Sequence, residues 1–115
     1  IDTPSQTQKV IAGIRAALPQ YQRSIDEDHY GATFSFRFGS ADEPIAQQAM
    51  KGISARLNQD PTDYLAIGSA DVIANRVQAF IEAGCSKFVL IPIAQGTKDL
   101  MAQTQRLVEE VIPRF

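Results

Sequence analysis

Apolar and polar positions follow two different periods along this chain. Val10, Ile11, Ile14, Ala17 and Leu18 recur at helical spacing within residues 3–18, which gives one apolar face. Thr3 is placed to cap that helix, Pro4 fits its first position and Pro19 ends it. Residues 20–29 form a polar connection rich in Asp and Glu. The period then changes to two. Ala32, Phe34, Phe36 and Phe38 fall on one face, and Thr33, Ser35 and Arg37 on the other, the alternation of a strand. Helical spacing returns over residues 42–57, where Ile45, Ala49, Ile53 and Leu57 form a line four residues apart. Residues 58–63 read as a loop, and residues 64–67 as a short strand or extended stretch ending at Gly68.

The remainder repeats the theme. Ser69 caps a predicted helix over residues 70–83, with Asp71 in its first turn and Ile73, Val77, Phe80 and Ile81 on its buried face. Gly84 is the expected left-handed stop. Residues 86–93 are nearly all apolar, which predicts a strand buried on both faces, as in parallel sheets. Thr97 is the expected cap of a last helix over residues 98–112. Leu100, Met101, Thr104, Leu107, Val108 and Val111 face inward there, and Pro113 stops it. Helix, strand, helix in this order predicts an α/β fold with parallel strands covered by amphipathic helices.

Composition narrows the function classes. The chain has 115 residues, 44% of them hydrophobic and 21% charged, ordinary for a globular domain. That length makes one domain or part of one, and it cannot close an eight-stranded βα barrel, which takes about 250 residues. A net charge of −2 leaves no basic footprint for nucleic acid. The apolar run from Phe88 to Ala94 is far short of the roughly 20 residues a membrane-spanning helix needs. The single Cys85 excludes an internal disulfide and suits a reducing cytoplasm. A chain that starts at Ile1 without an initiating Met is expected to begin inside a longer one.

Two stretches carry a family likeness. Gly68-Ser69 opens a helix that closes at Ala83-Gly84. Lys87-Phe88-Val89-Leu90 follows, and then Glu109-Glu110-Val111-Ile112-Pro113-Arg114-Phe115. Upstream stands Ile25-Asp26-Glu27-Asp28-His29-Tyr30-Gly31. In this order and rough spacing, the segments resemble the C-terminal part of luciferase-like flavin- or deazaflavin-dependent monooxygenases. The resemblance implies a partial (β/α)8 TIM barrel, its last two to three βα units. Residues 31–38 would be the seventh strand, 42–57 an insertion, 70–83 the seventh helix and 86–93 the eighth strand. The complete enzyme would use FMN or a reduced deazaflavin on a small organic substrate. Its flavin phosphate-binding loops lie upstream of this region, so this segment alone is expected not to hold the cofactor tightly. The expected partners are the remaining N-terminal barrel portion or a second copy of the chain.

Barrel sites gather at the carboxyl ends of strands, which selects Arg37 and the loop after the last strand. Arg37 could meet a phosphate, a ring carbonyl or a substrate acid through its planar fork, or pair internally with Asp42 or Glu43. Gln95, Gly96 and Lys98 could touch a ligand's rim. At Ile91 many relatives place Arg, so any anion-binding role there is lost. His29 could act as an acid or base, but it precedes its strand, on the face that bears stability, and reads first as a capping or packing residue. Cys85 reads as a buried spacer, and Gly68-Ser69-Ala70-Asp71 as a plain helix cap. One His and one Cys far apart give no metal-ligand spacing. Against the enzyme reading stands a non-catalytic α/β module, structural or dimerising, derived from the same barrel.

Overall fold

The computed structural model describes residues 1–115. Four α-helices, α1 (Pro4–Ala17), α2 (Pro44–Leu57), α3 (Ala70–Glu82) and α4 (Gly96–Arg106), accompany three strands, β1 (Gly31–Phe38), β2 (Leu65–Gly68) and β3 (Lys87–Pro92). The strands form one parallel sheet in the order β2-β1-β3. The fold class is therefore α/β, a three-stranded parallel sheet flanked by helices. None of the helices is long and apolar enough to cross a membrane.

Register divides the sheet into two faces. Ser35 stands beside Leu65 and Ile91, and Arg37 beside Ile67. Thr33, Ser35, Arg37, Leu65, Ile67, Val89 and Ile91 thus share one face, because neighbouring strands in register point their side chains the same way. The opposite face carries Ala32, Phe34, Phe36 and Phe38. That face holds the main core, where the phenylalanines meet Ile73, Ala74, Val77 and Phe80 of α3 together with Leu107 and Val111. Phe34 and Phe80 stack with ring centroids 5.6 Å apart, a pairing worth about 1 kcal/mol beyond area burial. A smaller cluster of Ile53, Tyr64 and Leu65, with Ile67 and Ile93 against it, seats α2 on the first face.

The two crossovers therefore run in opposite directions over opposite faces. From β1 the chain passes through α2 on one face to β2. It then returns through α3 on the other face, past β1, to β3. Reversing both direction and face preserves one handedness, the condition parallel crossovers obey.

Several sequence expectations are corrected here. β3 is not buried on both faces: Val89 is 59% and Ile91 46% exposed, while Phe88 and Leu90 are half-buried. α2 reaches only over β2 and the end of β3, so the first face of β3 has no helix above it. Of the inward residues expected on the last helix, only Leu107 and Val111 are buried. Leu100, Met101, Thr104 and Val108 are exposed. The buried line is Gln103, Leu107 and Val111, one face rotated from the apolar stripe. Val10 and Ile81 are likewise exposed. Thr97 is not the cap of α4. The helix starts at Gly96, and the Asp99 carboxylate takes the N–H of Gln95 at 2.9 Å. Pro113 does not stop a continuous helix either. The α4 rod passes into a π turn at Leu107–Val111 and then a 3-10 turn at Ile112–Arg114.

Candidate functional site at the carboxyl ends of β1 and β3

In open α/β sheets the carboxyl ends of strands, at the point where the crossovers part, form the natural crevice. Here that point lies between β1 and β3, and Arg37 fills it. Its guanidinium is 8% exposed as a residue and its donors are committed. Nε and Nη2 reach the two oxygens of Glu43 at 3.0 and 3.4 Å. Nη1 reaches Asp99 Oδ2 at 2.8 Å and the Ile93 carbonyl at 2.9 Å. Of the two sequence readings of Arg37, the observed contacts are those of an internal ion pair, with Glu43 rather than Asp42, and Asp99 joins it.

Local sequence explains why these groups converge. Glu43 sits at the N-cap of α2, just before Pro44, and its side chain makes no cap hydrogen bond. Its carboxylate is therefore free to turn back to β1. Asp99 lies in the first turn of α4, where the helix dipole favours a negative charge. The Gln95 N–H, and after it Arg37, hold the Asp99 carboxyl below the usual carboxylate range. The Arg37 guanidinium is held above its ordinary value by the hydrogen bonds it donates to Glu43, against the opposing effect of burial, with Asp99 adding to the rise. One buried cation thus fastens the β1–α2 connection, the β3–α4 connection and the end of β1 together.

The backbone gives way to make room. Gly39 has φ +142°, and a Cβ added there would land on Glu43 Oε2. Gly39→Ala is therefore expected to cost about 2 kcal/mol, from backbone strain and a displaced Glu43 side chain. Thermal unfolding of the variant checks this; an unchanged midpoint would show that Glu43 does not need its present position.

The other selected residues are close in chain but differ in surroundings. Gln95 lines an open hollow of about 580 Å³ between the start of α2 (Pro44, Ile45, Gln48) and the end of β3 (Pro92, Ile93). Gly96 has φ +78° with open space where a Cβ would be, and it is exposed. Lys98 is exposed and makes no hydrogen bond or ion pair. The structure thus brings Arg37, Gln95 and the start of α4 to one end of the sheet, with Lys98 at its periphery.

Two contributors escaped sequence reasoning. Asp99 was visible only as an acid in a helix's first turn. Gln103, 6% exposed, clamps the end of β1: its Oε1 accepts the Phe38 N–H at 2.7 Å and its Nε2 donates to the Phe38 carbonyl at 3.1 Å. Its signal was a polar residue four positions before Leu107 on the line that Leu107 and Val111 continue.

Elsewhere the contacts are structural. His29 lies on a 3-10 turn at the opposite end of the sheet, exposed, with Nδ1 2.8 Å from Asp28 Oδ1. Ligand atoms of Asp26, Asp28 and His29 lie within 4.8 Å of one another, all on exposed residues. Cys85 is buried, and burial raises its thiol pKa, which disfavours the reactive thiolate. Ser69 Oγ accepts the Val72 N–H at 3.4 Å, and Asp71 pairs with Arg114 at 2.7 Å, so this helix start is already satisfied. Comparison with known proteins adds no identity: no family model, no curated protein and no solved structure matches the chain.

The depressed Asp99 pKa has a measurable consequence. A carboxyl whose folded pKa lies below its unfolded value stabilises the fold fully above about pH 4 and loses that contribution as pH falls through the folded value. Asp60, held down by the Thr62 N–H, and Glu110, held down by Arg106, act in the same window. Urea midpoints measured from neutral pH downward are expected to fall steeply below about pH 4. Asp99→Asn should be less stable at neutral pH and show a shallower decline. Parallel curves for the two proteins would remove Asp99 from the account.

Proposed function

We propose that this chain forms the C-terminal wall of a luciferase-like barrel oxidoreductase whose complete site takes FMN or a reduced deazaflavin and a small organic substrate. The observation that carries the reading is unequal coverage, since on the face away from the phenylalanines α2 reaches only β2 and the end of β3. Helices pack on the phenylalanine face of β1, while Thr33, Val89 and Ile91 on the other face stand exposed. In a barrel, that second face is the lined interior. β2 lies beside β1 on the side away from β3, and so takes the place of the stave before β1 in this arrangement.

The chain's own share is positional. Arg37 holds the two strand-end loops at fixed separation, and Gln95, Gly96 and Lys98 present the rim to cofactor or substrate. The residues present do not by themselves fit a flavin phosphate. Arg37 has its donors committed, and the carboxylates of Glu43 and Asp99 beside it would repel an anion. In this reading the phosphate cradle lies outside residues 1–115.

The test is the protein in its source cells. An antibody raised against this chain is expected to detect a polypeptide well above 12.6 kDa, about 250 residues or more, that copurifies with a flavin or deazaflavin chromophore. A lone 12.6 kDa species without such a chromophore would sink the proposal. A second reading, a non-catalytic structural or dimerising module of the same ancestry, is favoured by the internally paired Arg37 and by the bare edge of β3.

A further inference from the structure

β3 is an edge strand, and the hydrogen bonds define what its free edge offers. Lys87 N–H donates to Tyr30 O and Ile93 N–H to Phe36 O, at 3.2 and 2.8 Å. Peptide groups alternate sides along a strand. Lys87, Val89, Ile91 and Ile93 therefore turn theirs toward β1, and Phe88, Leu90 and Pro92 turn theirs outward. The open edge thus presents the donors of Phe88 and Leu90 and the carbonyls of Phe88, Leu90 and Pro92. Pro92 has no N–H to offer, and it sits where that absence costs the sheet nothing.

Side chains around this edge are apolar on both sheet faces. Val89 and Ile91 stand bare on one. On the other, Phe88 and Leu90 form the floor of an apolar groove of about 430 Å³ walled by Ile81, Ile112 and Phe115, and Phe115 is 56% exposed. Natural edges are blunted by charge, bulges or cover. This one carries no charge between Phe88 and Pro92.

We propose that this edge pairs with β3 of a second copy of the chain, antiparallel about a two-fold axis through Leu90, making one continuous six-stranded sheet. The edge is complementary to itself in this register. Leu90 and its symmetry mate exchange two hydrogen bonds. Phe88 N–H of each copy donates to the Pro92 carbonyl of the other, so every outward donor is used and the missing N–H of Pro92 falls opposite a carbonyl. Val89 of each copy meets Ile91 of the other on the bare face, and the two grooves join. The two Lys87 residues lie about 20 Å apart, at opposite ends of the pair, whereas parallel in-register addition would set them side by side. Two-fold pairing of one patch with itself is the commonest way homo-oligomers close. In the closed barrel of the oxidoreductase reading this edge would meet the barrel's first strand, so the inference concerns the 115-residue chain by itself and does not rest on that reading. Flavin content and self-association are separate measurements, so either can fail alone.

Sedimentation equilibrium or light scattering on the 115-residue protein tests the register as well as the dimer. The unsubstituted chain is expected to show twice 12.6 kDa, with dissociation in the micromolar range. Val89→Lys combined with Ile91→Lys sets like charges opposite each other twice and should weaken the dimer by about 100-fold. Val89→Lys combined with Ile91→Glu sets opposite charges there and should restore it. Both positions are exposed, so circular dichroism and urea midpoints should show each variant folded. A monomeric unsubstituted chain at about 100 μM, an undiminished dimer in the Lys/Lys variant, or a monomeric Lys/Glu variant would each overturn the proposal.

Discussion

Gln103→Leu is expected to destabilise the protein by about 2–5 kcal/mol, because it strands two buried backbone groups at once. The Gln103 amide supplies an acceptor to the Phe38 N–H and a donor to the Phe38 carbonyl, the pairing that an adjacent residue in a ladder would provide. Leu fills nearly the same volume, so the loss is one of hydrogen bonding and not of packing. Each stranded group carries its own desolvation cost of about 1–3 kcal/mol. The unfolding temperature should fall by roughly 10–20 °C. Gln103→Glu keeps the acceptor but sets a second oxygen against the Phe38 carbonyl in a buried site, so it should recover little of the loss. A Leu variant as stable as the parent would mean that water or a neighbouring group satisfies Phe38.

Arg37→Met is the second large effect, with an expected loss of about 2–4 kcal/mol. Removing one member of a buried ion pair typically costs about 3–5 kcal/mol. The figure is lower here because the Glu43 and Asp99 side chains retain 38% and 26% exposure, and water screens them. The variant leaves two like charges facing each other and an unpaired Ile93 carbonyl. Arg37→Lys should recover only part of the loss, since one ammonium cannot grip both oxygens of Glu43 while reaching Asp99 and Ile93. Adding Glu43→Gln and Asp99→Asn to Arg37→Met should restore stability if charge drives the effect. Urea unfolding of the four proteins decides it, and a Met variant unchanged in midpoint would show that the cluster adds nothing.

The helices and strands were legible where one physical demand dominated. The Phe34, Phe36, Phe38 alternation betrayed β1 because only one of its faces meets a helix. Ser69 and Gly84 marked both ends of α3 through backbone groups that need a partner or a positive φ. Strand order was not legible, since nothing in residues 65–68 records which side of β1 they will join. The Arg37–Glu43 pair was within reach because its members lie on either side of one turn. Asp99 was not, because its proximity to Arg37 depends on β3 being laid beside β1. The last helix misled for a different reason: Leu100, Met101, Thr104 and Val108 make an apolar stripe as good as the true one. The choice between stripes was made by Gln103 reaching Phe38.

The central place of β1 also bears on how the chain comes into being. Of the three strands described, β1 is made first, both of its neighbours follow it, and its pairing with β3 joins Gly31 to Lys87. At about 5–20 residues per second on the ribosome, several seconds separate synthesis of its phenylalanine row from arrival of the strand that flanks it. β2 and α3 are made within that interval, so what waits longest is the ladder between β1 and β3. Such non-local pairing makes folding slow and leaves sticky surface waiting. Apolar surface exposed in this way makes an incomplete chain prone to aggregate until Pro92 has left the ribosome.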